Sequence, residues 1–105
     1  ARRLMETPWH VYASRGYIER HGAPATVQEI NQHQLIGWEG RMPNIPGLDW
    51  IMANAPQARI PCRCTTVANL LHVVKAGLGL APLPQIAAEA EPEQLDGVVA
   101  VMRRL

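Results

Sequence analysis

Most of the signatures that would assign this chain a chemistry are missing from it. No apolar run approaches the roughly 18 residues that a bilayer-crossing helix needs, so no membrane span is expected. Arg2 and Arg3 are followed by no apolar stretch, so the first residues do not read as a secretory leader. Ten basic against nine acidic side chains leave a formal net charge of +1. The arginines at positions 2, 3, 103 and 104 sit at the two ends rather than along a stripe, which leaves no footprint for nucleic acid. Only two cysteines occur, Cys62 and Cys64, two apart. That spacing suits neither a disulfide framework nor a CxxC redox or zinc site, and a reducing cytoplasm is the default. There is no HExxH and no GxSxG. Gly77-Leu-Gly79 follows a helical pattern and precedes an extended one, the reverse of a dinucleotide fingerprint. No catalytic set, cofactor or metal is expected.

What is there is a patterned chain of 105 residues, 48% apolar, enough for one small domain with a core and too short for two. It starts without methionine and stops abruptly after residues 101–105, and both ends read as cuts in a longer polypeptide. Residues 9–13 alternate, with Trp9, Val11 and Ala13 on one face of a strand. Ser14 can cap a helix over 15–21 that Gly22 ends in the left-handed conformation. After a turn at Pro24, Thr26 and Glu29 form a capping box, which predicts a short helix ending near His33. A second strand is expected at 34–38, an exposed loop rich in glycine and proline at 39–48, and one or two helical turns at 49–54.

Residues 59–64 alternate again, with Ile60, Cys62 and Cys64 inward, and Pro61 argues for an edge or bulge there. The clearest element follows. Thr65 or Thr66 caps a helix whose apolar stripe is Val67, Leu70, Leu71 and Val74, and Gly77 stops it. A buried strand at 78–83, a short helix from Pro84 to about Ala90 and a last strand within 95–102 complete the chain. Strands and helices alternate throughout, which predicts an α/β layer fold.

The candidate chemistry is thin. Cys62 and Cys64 point the same way, but nothing completes a soft-metal site, so they read as structural thiols. His10, His21, His33 and His72 lack ligand spacing, and His21 and His33 fall at helix ends where a cation suits the dipole. Thr65 and Thr66 carry more. They stand where a strand hands over to a helix, a place with free backbone N–H groups that caps itself or binds an anion. Ser14 occupies the same kind of position. Trp38 and Trp50 border the proline-rich loop and read as packing anchors rather than a stacking platform.

Two runs resemble a known family. The stretch from Val11 to Gly22, followed by Pro24, Thr26 and residues 29–33, is similar to the effector-binding domain of the LysR-type transcriptional regulators, with Arg15 and Val27 where the family has prolines. Residues 68–84, which include Ala76-Gly-Leu-Gly-Leu-Ala-Pro-Leu-Pro84, resemble that domain's glycine-containing run and its preceding helix, with Pro82 as a departure. The closing Leu95-Asp-Gly97 and its valine strand fit the family's end.

The resemblance implies that residues 1–105 are the second lobe of a periplasmic-binding-protein-like (type 2) effector domain, a mixed sheet flanked by helices. It implies a small effector, often anionic, held between two lobes, with Thr65, Thr66, Val67 and Ser14 near the cleft. It also implies DNA contact only through an amino-terminal winged helix-turn-helix absent here, a homo-oligomer, and a surface on the helix from Val67 to Ala76 that pairs between subunits, so that this piece alone can dimerise. The alternative reading is a solute-binding lobe of a periplasmic transport protein, which shares the fold.

Overall fold

The structure, a computed structural model, describes residues 7–41, 44–89 and 97–102. Strand β1 (Trp9–Ser14) lies between β4 (Ala81–Pro84) and β5 (Val98–Met102), antiparallel to both. All six β1 residues are buried. The alternation at 9–13 implied one buried face. Because successive side chains of a strand point to opposite faces, six buried in a row mean that both faces are covered. Helices α1 (Arg15–His21) and α3 (Val67–Lys75) both pack against β1, and α3 also contacts β4.

A second, parallel ladder pairs β2 (Gly37–Trp38) with β3 (Arg63–Cys64). It extends backward through a bridge between Gln34 and Arg59, and it joins the first ladder through Leu35 and Leu80. There Ile36 N–H donates to the Leu80 carbonyl at 2.9 Å and Leu80 N–H to the Gln34 carbonyl at 2.8 Å. The three-stranded ladder β4-β1-β5 and the two-stranded ladder β2-β3 thus meet through this one bridge, which gives the expected mixture of parallel and antiparallel pairing.

Several boundaries differ from the sequence reading, each for a local reason. The strand expected at 34–38 is regular only at Gly37–Trp38. In a parallel ladder the next bond toward residue 36 would come from the N–H of residue 82, and Pro82 has none. The departure at Pro82 therefore ends the β2–β4 pairing at Leu80. The strand expected at 78–83 runs from Ala81 to Pro84 instead, and Leu78 is 45% exposed. The strand expected at 59–64 is regular only at Arg63–Cys64, with exposed Pro61 interrupting it and Ile60 and Cys62 half-buried.

The helix after Thr26 is a 3-10 helix (Val27–Gln32). Thr26 Oγ1 accepts from Glu29 N–H at 3.3 Å, but the Glu29 carboxylate takes Ala25 N–H at 2.9 Å, so the reciprocal half of the capping box is displaced by one residue. Gly22 does have φ +78°, but its ψ of 169° is extended rather than left-handed helical. The loop at 39–48 is not wholly exposed, because Ile45 is 1% exposed and anchors it beneath α2 (Leu48–Asn54). Helix α4 (Gln85–Ala88) is one turn. Leu95, Asp96 and the arginine pairs at both ends lie outside the described residues.

Helix α3 follows its stripe. Leu70 and Val74 are fully buried, while Val67 and Leu71 are partly covered against the same core. Burying each of the two inner side chains stabilises the fold by about 1.5–3 kcal/mol. Gly77, at φ +84°, ends the helix as expected, and its N–H bonds the Val74 carbonyl at 3.0 Å.

Candidate functional site

The parallel strands β2 and β3 end side by side, tied by a bond from Glu39 N–H to the Cys64 carbonyl at 3.0 Å. Open α/β sheets bind ligands outside the carboxyl ends of their strands. At this edge the chain leaves β3 through Thr65 and Thr66 into α3. Thr66 is the cap, in extended conformation, with Oγ1 accepting from Asn69 N–H at 3.1 Å. The cap satisfies one of the helix's orphan donors, and the N–H groups of Val67 and Ala68 lie too early in the helix to find partners within it. Thr65 is exposed, and its hydroxyl has no hydrogen bond among the described residues. Val67 is half-buried and packs on the core, which fixes the first turn of α3. Gly40 lies over the Trp38 ring, and a Cβ there would meet the Thr65 carbonyl oxygen at 2.5 Å. Only glycine lets the loop after β2 approach β3 so closely.

Sequence reasoning placed Ser14 with these residues, and the fold separates it from them. β1 runs antiparallel to β4, while β2 runs parallel to the chain at Leu80 that leads into β4. The carboxyl end of β1 therefore lies at the opposite edge of the sheet from those of β2 and β3. Ser14 Oγ would be 3.4 Å from a Cβ on Gly77, beyond the last turn of α3, whereas Thr66 begins that helix. The nine residues of α3 span about 13 Å.

Ser14 caps α1, with Oγ accepting from Tyr17 N–H at 3.0 Å. It also lines a hollow of about 320 Å³ with Gly16, Arg20, Lys75 and Gly77. A second cleft of about 240 Å³ lies beside Trp38, between Leu48, Met52, Ile60 and Arg63. Trp38 is half-buried, but Trp50 is 49% exposed and does not anchor the core. Among the described residues the exposed large apolar side chains are Trp50, Met52, Leu78 and Ile86, none of them on α3.

Both cysteines are free thiols. Burial raises the Cys64 pKa above its ordinary value and the neighbouring Cys62 adds to the effect, which opposes thiolate chemistry. Among the described residues no three metal-ligating side chains converge. The polar pair that sequence reasoning missed is Tyr17 with His33. The Tyr17 hydroxyl stands 2.6 Å from His33 Nδ1 and accepts from Gln34 N–H at 3.3 Å, with both side chains buried. Sixteen residues separate them, and no local spacing signals such a meeting.

The architecture is a mixed α/β fold with a strand-to-helix handover at one sheet edge, and the comparisons name its family. Residues 1–103 match the family described as the LysR substrate binding domain, and the chain belongs to it. It is 30% identical over 90 residues to an uncharacterized HTH-type transcriptional regulator of Haemophilus influenzae, covering 81% of this chain and 30% of that protein. Among solved structures, it superposes on the regulatory domain of Synechocystis PCC6803 CcmR in complex with 2-PG with a TM-score of 0.70 at 12% identity, covering 90% of this chain and 46% of that one. Full-length AphB, the Vibrio cholerae virulence activator, gives a TM-score of 0.65 at 17% identity, covering 90% of this chain and 32% of that one. The chain thus spans about a third of the full-length relatives and about half of an isolated regulatory domain.

Proposed function

We propose that this chain is the second lobe of the effector-binding domain of a LysR-type transcriptional regulator, and that a small effector contacts it at the carboxyl ends of β2 and β3. The observation that carries the reading is the coincidence of a family match over residues 1–103 with coverage of about half a regulatory domain, as one lobe of two would give. Thr65, Thr66 and the first turn of α3 at Val67 form the contact, since exposed hydroxyls beside unbonded N–H groups suit an anionic group. Ser14 stands outside this face. The effector bridges two lobes, biases the oligomer and so moves distant DNA-binding domains on a promoter. The whole protein acts as a homo-oligomer in the cytoplasm, touches DNA only through an amino-terminal domain, and senses rather than catalyses.

The testing experiment is the mass and amino-terminal sequence of the natural polypeptide, with footprinting on the DNA beside its gene. A product about three times this length with a helix-turn-helix segment and a protected promoter site is expected. A secretion signal without DNA protection would instead place the lobe in a transport protein, a class that none of the relatives described above supports.

A further inference from the structure

A smaller hollow lies where the chain enters β2 and β3, at the edge opposite Thr65 and Thr66. Tyr17, His21, Gln32, His33, Gln34 and Arg59 line it. Its frame is fixed from two sides. Gln34 and Arg59 are partners in a parallel bridge, so their side chains leave the sheet on the same face. Arg59 N–H bonds the His33 carbonyl at 3.2 Å, and the Arg59 carbonyl takes Leu35 N–H at 2.7 Å. On α1, Tyr17 and His21 are four residues apart and share a face. Their ring centres lie 4.7 Å apart, and the Tyr17 ring centre is 5.6 Å from that of His33.

The lining is chemically one-sided. It carries one guanidinium and two imidazoles, and no carboxylate. Arg59 is exposed, and its guanidinium has no partner among the described residues. His33 supplies a separate observation. The residue is 9% exposed, and the Tyr17 hydroxyl engages only its Nδ1. Among the described residues no side-chain nitrogen or oxygen is both buried and unpartnered. His33 Nε2, which has no partner among them, therefore opens on the hollow. His21 pushes the His33 pKa down, a repulsion that an anion between the two rings would relieve. Glu29 acts on His33 in the opposite sense, but its carboxylate is bonded to Ala25 N–H at 2.9 Å and does not line the hollow. The volume of about 110 Å³ is well below the roughly 300–1,000 Å³ of pockets for organic ligands. It equals about four water volumes, room for one compact polyatomic ion.

We propose that His21, His33 and Arg59 form a binding site for a small tetrahedral oxyanion, phosphate or sulfate. The site lies at the other edge of the sheet from Thr65 and Thr66, so it is independent of the effector reading. The Arg59 guanidinium takes two oxygens side-on, and Nε2 of His33 donates to a third from the buried end. His21 adds its charge from the solvent side, and the amides of Gln32 and Gln34 supply neutral donors. A protonated imidazole donates from both nitrogens, so the anion favours the charged form of His33. Binding therefore tightens as the pH falls below 6.5.

The test is a titration of the isotopically labelled 105-residue chain with sodium sulfate at constant ionic strength, followed by amide and imidazole NMR at about pH 6 and about pH 8. Sulfate keeps its charge over that range, so any pH dependence belongs to the protein. Saturable shifts confined to residues 17–21, 32–35 and 59 are expected, with tighter binding at the lower pH. Arg59→Gln, at an exposed position and safe for the fold, should weaken binding by about tenfold or more, the usual scale for a hydrogen bond to a charged group. His21→Gln, also exposed, should weaken it at the lower pH. Arg63→Gln, four residues beyond Arg59 and outside the hollow, should leave it unchanged. Shifts that grow linearly without saturating, that spread over all basic residues, or that survive Arg59→Gln at full affinity would overturn the site. So would an affinity equal at the two pH values.

Discussion

Acidification should destabilise this fold through one histidine. His33 is 9% exposed, and its Nδ1 faces the Tyr17 hydroxyl at 2.6 Å. The Tyr17 oxygen also accepts from Gln34 N–H at 3.3 Å, which fixes it beside the imidazole. Burial holds the His33 pKa below its ordinary 6.5; the positive potential of His21 adds to this and Glu29 opposes it. The folded state therefore binds the proton less readily than the unfolded chain. Stability is complete above pH 6.5 and is lost as the pH falls from there toward the lowered folded-state value. One proton gives a slope of at most about 1.4 kcal/mol per pH unit. Against a total of about 5–15 kcal/mol for a domain, that is a large share.

The assay is urea unfolding at pH values between about 5 and 8, with the imidazole protons of His33 followed by NMR in parallel. His33→Asn is the control, since its side-chain amide both accepts and donates and cannot titrate. The slope should flatten in that variant, while stability above pH 6.5 changes little. A His33 that titrates at or above 6.5, or a slope unchanged in His33→Asn, refutes the argument.

Two further outcomes follow from the packing. Leu70→Ala empties a fully buried position beneath α3 and should cost about 2–5 kcal/mol, read as a lower urea midpoint with an unchanged m-value. Gly79→Ala would bring a Cβ to 2.6 Å from the Gln34 carbonyl oxygen, at the junction of the two ladders. Backbone cannot yield as a side-chain tip does, so a loss of about 1–3 kcal/mol is expected, with early hydrogen exchange at Ile36 and Leu80.

Much of the secondary structure was legible because it is written locally. Ser14, Thr26 and Thr66 each cap the helix that their position announces, by a bond reaching only three residues. The stripe of α3 and its stop at Gly77 are likewise contained in one stretch of chain. The family, too, was legible, in two runs that keep their order and spacing. Within the candidate site, Thr65, Thr66 and Val67 are neighbours in sequence, so their common position at one sheet edge needed only the strand-to-helix handover to be recognised.

What only the tertiary structure decided depends on the direction of distant strands. Ser14 looks like Thr66 in sequence, each a hydroxyl between strand and helix, yet β1 is antiparallel where β2 and β3 are parallel, so the two open on opposite edges. The pairing between the chain before β2 and the chain before β4 stops where Pro82 lacks an N–H, forty-odd residues away in the chain, and the burial of both faces of β1 came from neighbours on either side. Tyr17 with His33, and Arg20 with Gly77 and Ser14, meet through folding alone. Caps and stripes are set by bonds between near neighbours, whereas sites are set by which chain ends the sheet brings to the same edge, and that information is spread over the whole fold.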